Sequence, residues 1–132
     1  EDEDSMKVYV DTNSWLRCAA WRIDIWKEAQ RIVPGRAEVL TLDKVMGELE
    51  GLKAAGGMLA QEAKLAVALI KQKNVPVVAT QGARTADDAL LQVAQEPDFV
   101  LTQDQALKRL LKGKGIGVIV IRGQDHLEIE NK

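Results

Sequence analysis

Lys7-Val-Tyr-Val-Asp-Thr-Asn13 is a short apolar run that ends in an acid, and Phe99-Val-Leu-Thr-Gln-Asp104 repeats this pattern later in the chain. Each run has the composition of a strand and leads directly into a helical pattern. In a parallel sheet the carboxyl ends of all the strands lie on one edge. Asp11 and Asp104 are therefore expected to lie close together at that edge.

Strand-type runs alternate with helical patterns along the whole chain. Strands are predicted at residues 8–10, 38–42, 75–80, 99–102 and 117–122. Helical periodicity fills residues 23–33, 45–52, 58–73, 87–95 and 104–112. The alternation predicts a three-layer α/β/α sandwich with a central parallel sheet of about five strands and right-handed crossovers.

Length and composition indicate a single globular domain. The chain has 132 residues, of which 46% are apolar and 29% are charged. No apolar stretch approaches the roughly 20 residues that cross a bilayer, and the lone Cys18 favours a reducing, cytoplasmic setting. Met6 resembles a natural start, so we expect residues 1–5 to be an added acidic tail and residues 6–132 to form the domain. Without the four acids of that tail, the formal charge changes from −2 to +2.

Three acids occupy predicted helix starts. Asp11, Asp87 and Asp104 each stand where a helix begins, and Asp is among the preferred N-cap residues. Capping therefore explains any one of them better than a functional site does. Their expected convergence on one sheet edge is what favours a site.

Glu48 discriminates between the two interpretations, because capping cannot explain a residue inside a helix. On a helical wheel it lies at the border of the face that Val45 and Leu49 bury. Its side chain tilts towards the helix N-terminus and so towards the strand edge. The same wheel favours Asp87 as a direct ligand, with Asp88 as a neighbouring group.

Gathered carboxylates without basic partners indicate a divalent-metal site. Two carboxylates about 5 Å apart repel by roughly 3 kcal/mol at an effective dielectric constant of about 20. Hard cations prefer oxygen ligands and would remove this repulsion. The single His126 and single Cys18 argue against zinc and against a His-activated nucleophile. The sequence therefore predicts one or two Mg²⁺ or Mn²⁺ ions held by Asp11, Glu48, Asp87, Asp88 and Asp104.

Basic residues on and beyond the last predicted helix are candidates for nucleic-acid contacts. Lys108, Arg109, Lys112 and Lys114 form this basic cluster, and Leu107, Leu110 and Leu111 are expected to form the buried side of the helix. A solvated helix face is about equally plausible, but the nearness of Asp104 favours contacts to the nucleic-acid backbone.

Two further patterns have structural explanations. The glycines in Gly113-Lys-Gly-Ile-Gly117 follow a helix and precede a strand, which is the reverse of a phosphate-binding loop, so a helix end and turn are predicted. For Trp15, Trp21 and Trp26, core burial or a dimer contact is favoured over base stacking.

Four segments, taken in order, resemble the acidic motifs of PIN-domain nucleases. They are Val10-Asp-Thr-Asn13, Val45-Met-Gly-Glu-Leu-Glu50, Ala86-Asp-Asp-Ala-Leu-Leu91 and Leu101-Thr-Gln-Asp104. The likeness spans almost the whole chain. Within the family, the paired acids and the closing apolar strand are most similar to archaeal proteins like the small-subunit processome nuclease. VapC-type toxins are the sister alternative.

The resemblance implies metal-dependent endonucleolytic cleavage of single-stranded or structured rRNA, leaving a 5′-phosphate and a 3′-hydroxyl. It assigns catalysis to Asp11, Glu48, Asp87 and Asp104, and a supporting role to Asn13 and Thr102, which would hold water or orient Asp104. The mechanistic hypothesis is two-metal hydrolysis, with one ion activating the attacking water and the other stabilising the leaving oxygen. A protein partner that presents the RNA is expected, and monomer or homodimer stays open.

Two other functions compete with this hypothesis. A PIN-like module that binds RNA or protein without cutting it would share the fold, although such a module is expected to lose some of the acids. A receiver-like signalling domain would need paired acids after the first strand and a Lys after the last, where this chain has Ile121-Arg122.

Overall fold

A mostly parallel sheet forms the centre of the molecule in the computed structural model, which describes residues 5–131. The strands are β1 (Ser5–Val10), β2 (Arg36–Leu42), β3 (Val77–Val78), β4 (Phe99–Leu101), β5 (Gly117–Arg122) and β6 (His126–Asn131). The helices are α1 (Thr12–Trp21), α2 (Ile25–Ile32), α3 (Asp43–Ala55), α4 (Met58–Gln72), α5 (Ala86–Val93) and α6 (Gln105–Gly113). No helix within residues 5–131 has the length and apolar character needed to span a membrane.

Helices cover both faces of the sheet. Val8, Tyr9 and Val10 are all buried, and successive strand residues point to opposite faces. Both faces of β1 are therefore packed, as a three-layer α/β/α sandwich requires. The predicted architecture is confirmed.

The strand order places the functional edge of the sheet. The order is β3-β2-β1-β4-β5-β6, with β1 to β5 parallel and β6 antiparallel to β5. Successive strands are added on one side of β1 as far as β3, and on its other side from β4 onwards. The switch point of the sheet therefore lies between β1 and β4. In such sheets ligands bind beyond the carboxyl ends of the strands at this switch point, and Asp11 follows β1 directly.

Three details of the fold differ from the prediction. The antiparallel β6 was not predicted, although its buried Leu127 and the partly buried Ile129 alternate with polar residues. The helix expected over residues 23–33 is α2, but it is preceded by α1, for which no bounds were predicted and which ends where Arg22 adopts a left-handed conformation (φ 58°). The strand predicted at residues 75–80 shrinks to β3, which pairs only with the last residues of β2.

The glycine segment and the first tryptophan have structural roles. α6 ends at Gly113, Gly115 has φ +78°, and β5 begins at Gly117, so the predicted helix end and turn are confirmed. Trp15 is 1% exposed and packs against Trp26 with ring centroids 6.0 Å apart. Of the expected acidic tail, residues 1–4 lie outside the described residues, and Ser5 begins β1.

Candidate metal centre

One cleft collects acids from four separate segments of the chain. It lies beyond the carboxyl ends of β1 and β4 and has a volume of about 240 Å³. Its walls are formed by Asp11, Thr12, Asn13, Glu48, Ala86, Asp87, Gln103 and Asp104. We call it the acidic cleft. The structure thus brings together the four acids that were singled out as catalytic, and Asn13 lies among them.

Asp11 is the most deeply placed of the four acids, with 6% of its surface exposed. Its Oδ1 accepts a hydrogen bond from the backbone N–H of Ser14 (2.8 Å), which caps α1. Its Oδ2 accepts one from the Thr102 hydroxyl (2.5 Å). Burial raises the pKa of Asp11, the bonds from Thr102 and Ser14 oppose that rise, and the charge of Asp104 adds to it. Asp11 is therefore a helix cap and a cleft residue at once.

Thr102 links Asp11 to Asp104. Its buried hydroxyl donates to Asp11 and accepts a hydrogen bond from the backbone N–H of Asp104 (3.1 Å). Asp104 in turn caps α6, because its Oδ1 accepts from the Leu107 N–H (2.8 Å). The hydroxyl thus fixes the position of the first acid directly and of the second through its backbone.

Glu48 reaches the cleft from α3, where its side chain is exposed. Its Oε1 accepts a hydrogen bond from the Thr12 hydroxyl (2.5 Å). Thr12 is a cleft residue that the sequence analysis did not single out, although its place directly after Asp11 marked it as a neighbour. Glu50, two residues along the same helix, points to solvent and pairs with Lys53 (3.5 Å).

Asp87 lines the cleft from the first turn of α5, whereas Asp88 does not. The expectation that Asp87 itself starts this helix is wrong: Thr85 is the N-cap, and its hydroxyl accepts from the Asp88 N–H (3.1 Å). Partial burial raises the pKa of Asp87, and further contributions come from the nearby charges of Asp104, Asp11, Glu48 and Asp88. The mutual repulsion expected for gathered acids is thus present.

The donor set of the acidic cleft suits a hard divalent cation. Its side chains offer carboxylate, hydroxyl and amide oxygens, which Mg²⁺ and Mn²⁺ prefer. As the side chains stand, no group of three or more Asp, Glu, His or Cys residues within residues 5–131 is arranged to hold a metal ion. One oxygen each of Asp104 and Glu48 and both oxygens of Asp11 accept hydrogen bonds, but carboxylate oxygens retain further lone pairs for a cation.

Zinc-type ligands do not join the cleft. His126 is the first residue of β6, and its ring nitrogens contact Asp125 (2.7 Å) and Glu128 (2.8 Å). Cys18 is buried within α1, and desolvation, with a contribution from Asp11, raises the pKa of its thiol to about 12.

The basic cluster on α6 differs from its expected arrangement. Lys108 is 5% exposed and pairs with Glu130 (3.4 Å), while Leu110, expected to be buried, is 55% exposed. Lys112 also pairs with Glu130 (3.0 Å), and the ammonium of Lys114 donates to the carbonyl oxygens of Leu91 and Ala94. The α6 helix is rotated relative to the prediction because Glu130, on the unpredicted β6, holds Lys108 inward. Arg109, Lys112 and Lys114 are exposed to solvent, and of these three only Arg109 has no ion pair or side-chain hydrogen bond to another residue in the described part of the chain.

Comparisons with known proteins agree with this geometry. The family model described as a PIN-like domain matches residues 8–124. The structure of the PIN domain endonuclease Utp24 matches with a TM-score of 0.79 and 23% sequence identity, over 96% of this chain and 92% of that chain. At that identity the structural likeness establishes a shared fold. No curated protein sequence shows significant similarity to the chain.

Proposed function

Because the chain belongs to the PIN-like domain family, we propose that it is a metal-dependent endoribonuclease that hydrolyses RNA phosphodiester bonds in the acidic cleft. The observation that carries the proposal is the meeting of Asp11, Glu48, Asp87 and Asp104 in one cleft at the switch point of the sheet. The endonuclease activity named for Utp24, which shares the fold, supports the same reaction class.

Each residue of the cleft has a separate role in this proposed reaction. One or two Mg²⁺ or Mn²⁺ ions, when bound, supply positive charge that lowers the pKa of water and stabilises the leaving oxygen. Asp11 is the central ligand in this proposal, because its two hydrogen bonds hold it in place before any ion binds. Asp104, Glu48 and Asp87 complete the oxygen shell from three other elements, with Asp88 as a neighbouring charge. Asn13 offers its amide group to the RNA or to water, whereas the amide oxygen of Gln103 accepts from the Ile121 N–H.

For the cellular role we propose rRNA processing in the cytoplasm, on the strength of the motif resemblance to processome nucleases. A VapC-type toxin has the same chemistry and is distinguished by growth arrest when the chain is expressed. A non-catalytic PIN-like binding module is the remaining alternative. The presence of all four acids in one cleft argues against it, since a module that only binds has no need of their mutual repulsion.

Cleavage of an end-labelled structured RNA in Mn²⁺, Mg²⁺ or EDTA tests the proposal, with Asp104→Asn as an inactivated variant. The matched pair is Glu48→Gln against Glu50→Gln, because both residues are exposed on α3 and only the first lines the cleft. We expect ion-dependent products with 5′-phosphates, lost in Glu48→Gln and retained in Glu50→Gln. Equal activity of this pair, or cleavage that persists in EDTA, would refute the assignment.

A further inference from the structure

A second groove continues from the acidic cleft along α3 towards the start of α5. Its volume is about 370 Å³, and its walls are Asp43, Lys44, Gly47, Glu48, Arg84, Thr85 and Ala86. Glu48 and Ala86 also line the acidic cleft, so the two depressions adjoin at these residues. We call the second one the α3 groove. A strand that passes through the cleft would have this groove as a path on one side.

The α3 groove differs from the cleft in charge. Lys44 and Arg84 contribute two cations, and neither forms an ion pair within residues 5–131. The carboxylate of Asp43 is engaged in structural hydrogen bonds instead: it accepts from the Thr80 N–H (3.0 Å), the Thr80 hydroxyl (2.7 Å) and the Lys44 N–H (2.8 Å). These hydrogen bonds lower the pKa of Asp43, and those from Thr80 have the largest effect. Asp43 and Glu48 balance the formal charges of Lys44 and Arg84, so the groove is formally neutral, whereas four carboxylates and, among residues 5–131, no cation line the acidic cleft.

The α3 side of the groove has open space at Gly47. A Cβ added at Gly47 would have no heavy atom within 4 Å, and the same holds for Gly51 one turn further along α3. Lys44, Gly47 and Gly51 follow one another at helical spacing, so this strip of the helix lets a ligand backbone approach closely.

Four carboxylates repel a polyanion, so an RNA strand needs cations beside the cleft to hold it. The α6 cluster supplies few of them, because Lys108 and Lys112 pair with Glu130 and Lys114 donates to backbone carbonyls, which leaves Arg109. Resting on the proposed function, we propose that Lys44 and Arg84 bind the phosphates that flank the scissile phosphate. The RNA strand then enters the acidic cleft along the α3 groove, past Gly47.

Binding of a fluorescein-labelled, single-stranded RNA of mixed sequence tests this inference without cleavage, because it is measured in EDTA. A plot of log K against log salt concentration has a negative slope, and each lost phosphate contact makes it shallower by about 0.7 for a single strand. The double variant Lys44→Gln/Arg84→Gln should therefore have a slope that is shallower by about 1.4. At 0.1 M salt each contact corresponds to roughly 5-fold in affinity, so the pair should weaken binding about 25-fold.

The matched control is Lys64→Gln/Lys71→Gln, which removes two exposed positive charges from α4. It should change affinity less than twofold, and thermal midpoints should show that both double variants fold. A neutral variant, Gly47→Gln, should also weaken binding because its side chain fills the path.

Equal effects of the two double variants, or no RNA binding by the parent at low salt, would overturn the inference. Because no cleavage is involved, these outcomes are separate from a failure of the proposed function. A parent that binds RNA through Lys44 and Arg84 but never cuts it would refute the nuclease proposal alone.

Discussion

Replacing Thr102 with valine removes one buried hydroxyl while nearly preserving the shape of the side chain. In the parent, that hydroxyl donates to Oδ2 of Asp11 at 2.5 Å and accepts from the N–H of Asp104 at 3.1 Å. Thr102 itself is 0% exposed and Asp11 is 6% exposed. Water therefore cannot readily replace the missing donor to Asp11.

The expected loss of stability follows from the charge of Asp11. A hydrogen bond to an ionised group contributes about 1.5–3 kcal/mol. The lost acceptor for the Asp104 N–H adds at most about 1 kcal/mol, because Asp104 is exposed and water can reach it. We therefore expect Thr102→Val to lower the free energy of unfolding by about 1.5–4 kcal/mol at pH 7.

The pH dependence of the stability loss in Thr102→Val shows whether the charge of Asp11 causes that loss. Burial already raises the pKa of Asp11 in the parent, and removing the Thr102 bond raises it further in the variant. The difference in unfolding free energy between the parent and Thr102→Val is then largest at pH values where Asp11 is ionised in both proteins. It shrinks by about 1.4 kcal/mol per unit of added pKa shift as the pH falls below both values.

Urea unfolding at several pH values between 7 and the ordinary Asp range near 4 measures this difference. Thr102→Ser is the control, since it keeps the hydroxyl and should lose only about 1 kcal/mol for the missing methyl group. A loss in Thr102→Val that equals the loss in Thr102→Ser, or one that does not change with pH, would refute the reasoning.

Two further predictions concern charge. In EDTA, Asp87→Asn should raise the unfolding free energy at pH 7 by a few tenths to about 1 kcal/mol, the range for exposed charges. The gain should vanish on acidification, because the raised pKa of Asp87 means that its ionised form destabilises the fold; a loss of stability at pH 7 would contradict this. Glu130→Gln should destabilise by about 1–3 kcal/mol, since the buried Lys108 loses its partner. The pKa of Glu130 is lowered, first by the bond from Lys112, so its contribution is present at neutral pH and is lost as the pH falls through that lowered pKa. Glu128→Gln on the same strand is the control, and an equal effect of both variants in urea unfolding would argue against the buried pair.

The strand-edge acids could be predicted because they depend on short-range patterns. Apolar runs of strand length precede Asp11 and Thr102, and parallel topology brings the ends of such strands together. Helical spacing alone placed Glu48 towards the cleft and Glu50 towards solvent. These inferences need only local periodicity and one topological rule.

The features that the sequence analysis missed depend on partners distant in the chain. The sequence pattern places Lys108 on the surface of α6. In the structure it is buried, because Glu130 on β6, 22 positions later, provides a counter-charge. Thr12 faces the cleft because its hydroxyl meets Glu48, 36 positions away. The break between α1 and α2 depends on a left-handed Arg22, a conformation that residues other than Gly seldom adopt. None of these pairings leaves a periodic signal.

The thermal midpoint in EDTA, Mg²⁺ and Mn²⁺, measured for the parent and for Asp11→Asn, tests the central claim most directly. Asn keeps an N-cap acceptor for α1, so the variant should fold. Ligand at 100 times its dissociation constant adds about 2.7 kcal/mol to the folded state, which corresponds to a rise of several degrees for a domain of this size. We predict that rise in the parent and its loss in Asp11→Asn. No rise in the parent at millimolar ion, or an equal rise in both proteins, would contradict a metal site in the acidic cleft.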